Sequence, residues 1–199
     1  MAYPTVSAPY GLKPVNLIGG QVFAGATRQF PIASAYAANV FNGDVVKLIS
    51  DGTIEKDTGT ATATPVGVFV GCSYTSPALG YTLYSQYYPT GTVASDIVAY
   101  VVDDPDTLFK VAVTAAGSST MSTVARTAVG NNSVLIQTAG STATGDSKVS
   151  ISATTATTNT QPMRIIDVVP ETATGADAFS EVIVKWNWGM HQYQNATGV

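Results

Sequence analysis

The chain has 199 residues, with nine lysines and arginines, 13 aspartates and glutamates, and a formal net charge of −4. Charged residues make up 11% of the sequence, less than half of the roughly 25% that is usual in soluble domains. The cations are scattered singly and form no basic stripe, so direct nucleic-acid binding is not expected. Because depletion of charge marks surfaces that become buried in assemblies, the composition favours a protein that assembles with others.

The content of catalytic residue types is low. With one histidine, His191, every Ser–His or Cys–His triad would depend on that residue, and the sequence contains no GxSxG, P-loop, GxGxxG, HExxH or CxxC motif. The one cysteine, Cys72, follows a strand-like run and is predicted to be a small buried residue. A hydrolase built on two carboxylates remains open from sequence. We predict no enzyme activity, no cofactor and no metal site.

The first residues contain no basic segment followed by an apolar run, and no stretch approaches the roughly 18 apolar residues that cross a bilayer. The expectation is a protein made in the cytoplasm, without membrane attachment.

Residues 1–31 contain four prolines, which exclude a helix and disfavour an interior strand. The same residues carry more apolar side chains than a disordered tail would. They are therefore predicted to form an extended arm. Its side chains would be buried against its own domain, a neighbouring subunit, or both.

Residues 32–114 are predicted to form the core of a β domain, because short β-branched and aromatic runs alternate with Gly, Asp, Asn and Pro. An Ala-rich stretch at residues 34–42 is predicted to form a short turn of helix at most. The predicted strands cover residues 44–50, 53–56, 65–72, 81–88, 97–102 and 108–114, with 44–50 paired to 65–72.

The runs 97–102 and 108–114 are apolar on both faces, which predicts a hairpin near the centre of the sheet. The turn between them carries Asp103, Asp104 and Asp106, where carboxylates gather in the sequence. They would form a cation or catalytic site, or stabilise a turn. The turn is favoured, because calcium loops need more oxygen ligands at fixed spacing.

Residues 115–162 are rich in Ser, Thr, Ala and Gly but keep strand periodicity at 133–137 and 148–152. They are predicted to form a looped-out β insertion with flexible margins. Residues 163–199 are predicted to complete the β domain with strands at 163–169 and 178–188, followed by a tail. His191 in that tail is expected at a surface or interface.

Aromatic residues cluster in two places, and two interpretations are open. They would form a sugar-stacking platform, or they would pack in the core and at subunit interfaces. Packing is favoured, because alternating aromatic residues on strands usually contact cross-strand neighbours. The residues concerned are Tyr81, Tyr84, Tyr87, Tyr88, Trp186 and Trp188.

The segments GDVVKL, DGTIEK and TPVGVFVGCSYTSP, within residues 43–77, resemble the head-decoration (cement) proteins of tailed bacteriophages related to the lambda-type decoration protein. In that family a GD-x-V and P-x-G-V hairpin recurs within a β-tulip or β-barrel domain. Residues 97–111 and 163–193 are similar to virion structural proteins of marine tailed phages. The matching hairpin residues are Gly43, Asp44, Val46, Gly52, Thr53, Pro65, Gly67 and Val68.

The resemblance implies a mainly β, antiparallel β-tulip or β-barrel-like domain. The extended N-terminal arm and the Ser/Thr-rich β insertion, which the residues themselves indicate, depart from the shortest members of that family. The resemblance also implies a non-enzymatic protein on the outer capsid surface of the virion, clamping neighbouring major capsid subunits, with the major capsid protein and itself, as a homotrimer, as partners. The arm would add a strand to a capsid loop. A chain beginning near Ala33 would then keep its fold. The candidate contact residues are Tyr3, Tyr10, Leu17, Ile18, Val22 and Phe23. The alternative is a phage tail or fibre component, or a glycan-binding adhesin.

Overall fold

The computed structural model describes residues 8–172 and 180–199, and the chain in these ranges is mainly β-structure. Three single-turn 3-10 helices occur at Arg126–Ala128, Pro170–Thr172 and Gln192–Gln194. The strands are β1 Lys13–Leu17, β2 Arg28–Pro31, β3 Val45–Leu48, β4 Ile54–Lys56, β5 Gly67–Thr75, β6 Thr82–Ser85, β7 Val98–Val102, β8 Thr107–Thr114, β9 Asn132–Thr138, β10 Lys148–Ala156, β11 Met163–Val168 and β12 Glu181–Trp186. The predicted mainly β, barrel-like fold is confirmed.

Five strands close into a β-barrel in the order β8, β10, β9, β11, β12 and back to β8. The neighbours are antiparallel except for β8 and β10, which run parallel. Strand β1 adds to β8, and the N–H of Gly11, just before β1, donates to the carbonyl of Val149 in β10. Residues 11–17 therefore contact both β10 and β8.

The second sheet is antiparallel, in the order β2, β7, β5, β3, β4, with β6 paired to the far end of β5. Each sheet has its own cluster of buried side chains. In β12, residues Val182, Val184 and Trp186 face the barrel core, while Ile183 and Lys185 between them are only partly buried, as the period of two in a strand requires. The second cluster is built around Val46, Phe69, Tyr88 and Val101.

Within residues 8–31, the arm takes part in both sheets, whereas the sequence predicts that residues 1–31 contribute to attachment more than to folding. Strand β1 lies on the barrel, β2 pairs with β7, and Leu12 is fully buried in the barrel core. The prolines take positions that strands tolerate: the register of β1 shifts just after Pro14, and Pro31 ends the edge strand β2.

The strands predicted at 133–137 and 148–152 correspond to β9 and β10, but both strands belong to the barrel and are not looped out from it. On and beside these strands, the serine hydroxyls at 133, 147, 150 and 152 are buried and hydrogen-bonded. The hydroxyls of Thr114 and Ser150 lie 2.7 Å apart, and the Ser133 hydroxyl donates to the carbonyl of Ser152 at 2.8 Å. Satisfied hydroxyls are tolerated in a core, so this composition does not exclude barrel strands.

The hairpin predicted from 97–102 and 108–114 is wrong in its pairing. Strand β7 pairs with β5 and β2, whereas β8 belongs to the barrel, so the turn at residues 103–106 carries the chain from one sheet to the other. Each strand nevertheless lies in the interior of its own sheet: β7 pairs with β2 and β5, and β8 pairs with β1, β10 and β12.

Two glycines and a carboxylate join the arm to both sheets. Gly11 and Gly43 have φ angles of +83° and +96°, and a Cβ on Gly11 would lie 2.9 Å from the Cα of Gly43. The N–H of Leu12 donates to the carbonyl of Gly43, whose own N–H donates to Phe69 in β5. Asp44, next in the chain, is fully buried. The GD pair of the family pattern therefore has a structural role here.

Candidate binding surface at the arm

Residues 16–22, here called the arm hairpin, begin in the last two residues of β1 and fold back on themselves. Asn16 forms a bridge with Val22, and the N–H of Leu17 donates to the carbonyl of Gln21. Gly20 has a φ of +79°, which the tight turn requires. The N–H of Ile18 donates to the carbonyl of Asp106 at 3.0 Å, so the tip of the hairpin is fixed against the turn before β8.

The candidate contact residues divide into exposed and buried positions. Ile18 and Val22 on the arm hairpin are 48% and 80% exposed, so both side chains are accessible to a partner. Leu17 and Phe23 are partly buried, and Phe23 packs against the barrel core. Tyr3 lies outside the described residues.

The side chain of Tyr10 contacts its own domain. Its hydroxyl donates to Glu181 of β12, and the ammonium of Lys110 lies 5.9 Å from its ring centroid. Burial raises the pKa of Tyr10 well above its ordinary value, and the hydrogen bond to Glu181 acts in the same direction. The phenol is therefore a neutral donor that ties the arm to β12.

Two pockets open beside the arm hairpin. The first, here called the arm pocket, has a volume of about 230 Å³ and is mostly apolar. The second, here called the tryptophan pocket, has about 190 Å³ and lies between Ile18 and the end of β12. The arm pocket is lined by Leu17, Val22, Phe23, Ala24, Ala26 and Thr107; the tryptophan pocket is lined by Ile18, Arg164, Ile166, Lys185, Trp186 and Trp188, among others.

The sequence predicts the arm residues of this candidate surface but gives no indication that Arg164 and Lys185 lie beside them. Their outward positions follow from strand alternation in β11 and β12. Nothing local in the sequence places those strands beside the arm hairpin, because that neighbourhood depends on barrel closure.

The proposed aromatic platform does not assemble as one surface. Tyr88 and Trp186 are buried in the cores, as packing predicts, and Tyr87 stacks on Phe41. Tyr81 and Tyr84 remain exposed around β6 of the second sheet, while Trp188 is 78% exposed beside the barrel. The aromatic residues therefore form two separate exposed sites.

The carboxylates at residues 103–106 have different roles. Asp104 accepts from the N–H of Asp106 at 2.8 Å, and its carbonyl accepts from Thr107, so it forms the predicted turn. Asp103 instead pairs with Arg28 at 2.8 Å and accepts from the Tyr193 hydroxyl at 3.0 Å. Burial, together with the hydrogen bond to Asp103, raises the pKa of Tyr193 to about 12.

Separate Asn substitutions should distinguish these two roles. Asp104→Asn should change the free energy of unfolding by less than about 0.5 kcal/mol, because Asn keeps the turn acceptor. Asp103→Asn should cost up to about 1 kcal/mol, since it removes an ion pair whose Arg28 side is largely exposed. Urea unfolding of both variants measures the difference. Equal costs, or a stabilisation of the wild type by added calcium, would contradict this assignment.

His191 is fully buried within its own chain, whereas the sequence predicts a position at a surface or interface. Its Nδ1 accepts from the N–H of Tyr193 at 3.2 Å, and its ring packs edge-on against Tyr193 and beside Trp186. Burial lowers the pKa of His191 below its ordinary value of 6.5, while the backbone of Val66 and the charges of Asp103 and Asp104 act in the opposite direction. The neutral imidazole is therefore favoured in the folded chain.

The protein should lose stability as the pH falls from about 7.5 to 5.5. The unfolded chain binds a proton at His191 before the folded chain does, so the stabilising contribution is complete above pH about 7 and declines through 6.5. Because the chain has one histidine, His191→Asn, which keeps the acceptor for Tyr193, should flatten this slope. Calorimetry of both proteins at several pH values tests it. A wild-type slope equal to that of the variant would be evidence against the assignment.

Two other kinds of site, a reactive cysteine and a metal centre, have less support. Cys72 is buried, and burial raises the pKa of its thiol to about 12, which disfavours the reactive thiolate. Within residues 8–172 and 180–199, no group of three or more His, Cys, Asp or Glu side chains is arranged to hold a metal ion. In the same ranges, the structure contains no helix of sufficient length and apolarity to span a membrane.

The exposed apolar hairpin and its two pockets are therefore the best-formed candidate site in the described part of the chain. Comparison of the chain with protein-family models, with curated proteins and with solved structures gives no match.

Proposed function

We propose that the protein is a non-enzymatic virion structural protein, a decoration or cement protein that binds the outside of a tailed-phage capsid. It would be made in the host cytoplasm and stabilise the shell by clamping neighbouring major capsid subunits, as a homotrimer on the capsid lattice. The proposal starts from the resemblance carried by residues 43–77 and from the low content of charge.

The observation that carries the proposal is the arm hairpin. It presents Ile18 and Val22 to solvent on a rigid support, since β1 is paired to β8 and Ile18 is hydrogen-bonded to Asp106. A preorganised apolar contact loses little entropy on binding. Repeated over many capsid positions, modest contacts of this kind give tight overall attachment, because engagement of one contact raises the effective concentration of the next.

Heating of purified shells tests the proposal. Expanded capsids of the phage that encodes this chain should release their genome at a higher temperature with the protein bound than without it. The physical reason is that a ligand that binds only the intact shell stabilises it by mass action. Equal release temperatures for decorated and bare shells, at the same salt concentration, would refute the cement role.

Val22→Asp should weaken capsid binding at least tenfold, or about 1.4 kcal/mol per site, because it places a charge in the proposed apolar contact. The control is Val93→Asp, which places the same charge on another exposed valine outside the arm. Co-sedimentation with capsids measures both. Equal loss in the two variants, or none in either, would show that the arm hairpin is not the contact.

The second candidate is a tail or fibre component, or an adhesin that recognises glycans. It is favoured by Tyr81 and Tyr84, whose rings are exposed around β6 and are able to stack on sugars. This function requires the isolated protein to bind glycans and to lose binding on Tyr84→Ala. A cement protein would bind assembled shells and no glycan.

A further inference from the structure

Asn42 is the one asparagine in the sequence that is followed by a glycine, Gly43. In such a pair the glycine nitrogen can attack the asparagine side chain, because glycine has no Cβ to obstruct the approach and its backbone turns freely. The bond from Gly43 N to Asn42 Cγ forms while the bond from Cγ to Nδ2 breaks, and the N–H proton leaves with Nδ2 as ammonia. Water then opens the resulting succinimide to aspartate or isoaspartate. The pair is therefore a candidate site of deamidation.

The folded chain holds both reacting groups in hydrogen bonds. The N–H of Gly43, the attacking group, donates to the carbonyl of Phe69 in β5 at 2.8 Å. The Nδ2 of Asn42 donates to the carbonyl of Val70 at 2.8 Å, and its Oδ1 accepts from the Lys13 ammonium at 2.7 Å. Attack requires Gly43 N to lose its proton and Cγ to turn toward it. The hydrogen bonds from Gly43 N and from the Asn42 amide must therefore break first.

The backbone around the pair is also held on both sides. The N–H of Asn42 donates to the carbonyl of Gly145, and its carbonyl accepts from the N–H of Ser147, both at 3.0 Å. Gly43 is buried with a φ of +96°, and a Cβ on it would lie 3.0 Å from the Cα of Gly11. Rotation of the Asn42–Gly43 backbone therefore requires the arm, β5 and the segment before β10 to separate.

We propose that Asn42 is a latent modification site, which the fold keeps closed and which deamidates when the junction of the arm with β5 opens. The reaction rate of the folded protein is then the rate of the open chain multiplied by the fraction of chains that are open. The reaction needs water and no enzyme or cofactor. The site follows from the contacts of Asn42 and Gly43 and does not depend on the proposed function.

Isoaspartate at position 42 would prevent the junction from forming again. It routes the main chain through the former side-chain carbonyl, which adds one carbon to the backbone before Gly43. The backbones of Gly43 and Gly11 already lie so close that a Cβ on Gly11 would be 2.9 Å from the Cα of Gly43. A close-packed interior does not absorb an added methylene without strain. Opening followed by deamidation therefore makes unfolding irreversible.

Deamidation rates of the full-length wild-type protein test the closed site. The protein is incubated at one pH and temperature, in buffer and in guanidinium chloride. Trypsin, used at mildly acidic pH, then releases residues 29–47 by cleavage after Arg28 and Lys47. Mass spectrometry measures the replacement of NH₂ by OH, and fragmentation assigns it to Asn42 rather than Asn39. The unfolded chain should react at least about a hundredfold faster, which corresponds to an opening free energy of about 2.8 kcal/mol.

Removal of the denaturant tests the effect of the product. Chains with isoaspartate at position 42 should not regain the native near-ultraviolet circular dichroism. The matched control is Asn42→Asp, which has the same atoms and charge as the isoaspartate chain but a normal backbone. It keeps an oxygen acceptor for Lys13 and should refold.

Three results would overturn the proposal. A folded chain that deamidates less than about a hundredfold more slowly than the unfolded chain would show that the junction does not close the site. An unfolded chain that does not react at Asn42 would show that the pair is not a modification site. Refolding of the isoaspartate chain as complete as that of Asn42→Asp would contradict the irreversible step. The comparison of rates uses the wild-type chain alone, so it holds whether or not the variant folds.

Discussion

A chain that begins at Ala33 should lose its cooperative unfolding transition. The deletion removes β1, β2 and three buried side chains, Leu12, Phe30 and Ile32. Truncating one such side chain to Ala typically costs about 2–5 kcal/mol, so the three together approach the whole stability of a domain, about 5–15 kcal/mol. Loss of the strands would also open the edges of β7 and β8, which invites aggregation. Near-ultraviolet circular dichroism during heating measures the transition.

A point substitution tests the same contribution of the arm to folding without removing any strand. Gly11→Ala should be destabilising by several kcal/mol, because its Cβ would lie 2.7 Å from the Cβ of Ser147 and 2.9 Å from Gly43. The matched control is Gly20→Ala, which has a similar φ of +79° but nothing within 4 Å of the added Cβ. The control measures the backbone strain alone, at roughly 1 kcal/mol. A cooperative unfolding transition in the shortened chain would show that the arm is not needed for folding. Equal losses of unfolding free energy for Gly11→Ala and Gly20→Ala would show the same.

Asp44→Ala should cost about 3–5 kcal/mol of unfolding free energy. The carboxylate of Asp44 is fully buried and accepts from the Lys56 ammonium at 2.8 Å, the Ser147 hydroxyl at 2.6 Å and the N–H of Phe41 at 2.9 Å. These partners come from β4, from the segment before β10 and from the chain before β3, so removing the acceptor leaves three donors unsatisfied where the two sheets meet.

The control is Glu55→Ala on the same β3–β4 hairpin. Glu55 pairs with Lys47 at 3.0 Å, but both side chains are about one-third exposed, so the loss should be within about 1 kcal/mol. Chemical denaturation of the two variants gives the comparison. Similar losses of unfolding free energy for Asp44→Ala and Glu55→Ala would contradict the role of the Asp44 carboxylate in joining the two sheets.

The positions of the strands in residues 32–114 and 163–199 were largely predictable, because strand formation follows from local alternation and turn residues. The runs predicted at 44–50, 53–56 and 97–102 correspond to β3, β4 and β7. The turn at Asp104 was predictable for the same reason, since an Asx-turn depends on neighbouring backbone. The mainly β fold class was therefore determined by the sequence itself.

Partner choice between strands was decided by the tertiary structure. Strands β7 and β8 are consecutive and apolar, yet they separate into two sheets, because β8 is needed to close the barrel between β10 and β12. Prolines and hydroxyl-rich segments suggested an arm and an insertion. Bulges, edge positions and buried hydroxyl pairs allow those same residues to form strands, the arm in β1 and β2 and the hydroxyl-rich segment in the barrel strands β9 and β10.

The candidate site was likewise predictable from the sequence only in part. The sequence indicated Ile18 and Val22, since apolar residues in a proline-rich segment need a surface to cover them. Only the barrel closure brings Arg164 of β11 and Lys185 of β12 beside Ile18, and Trp188 is exposed because it follows the end of β12, whereas Trp186 is the last residue of that strand and is buried. Side-chain types follow from the chain, but the distances between residues remote in sequence follow from how the strands pair.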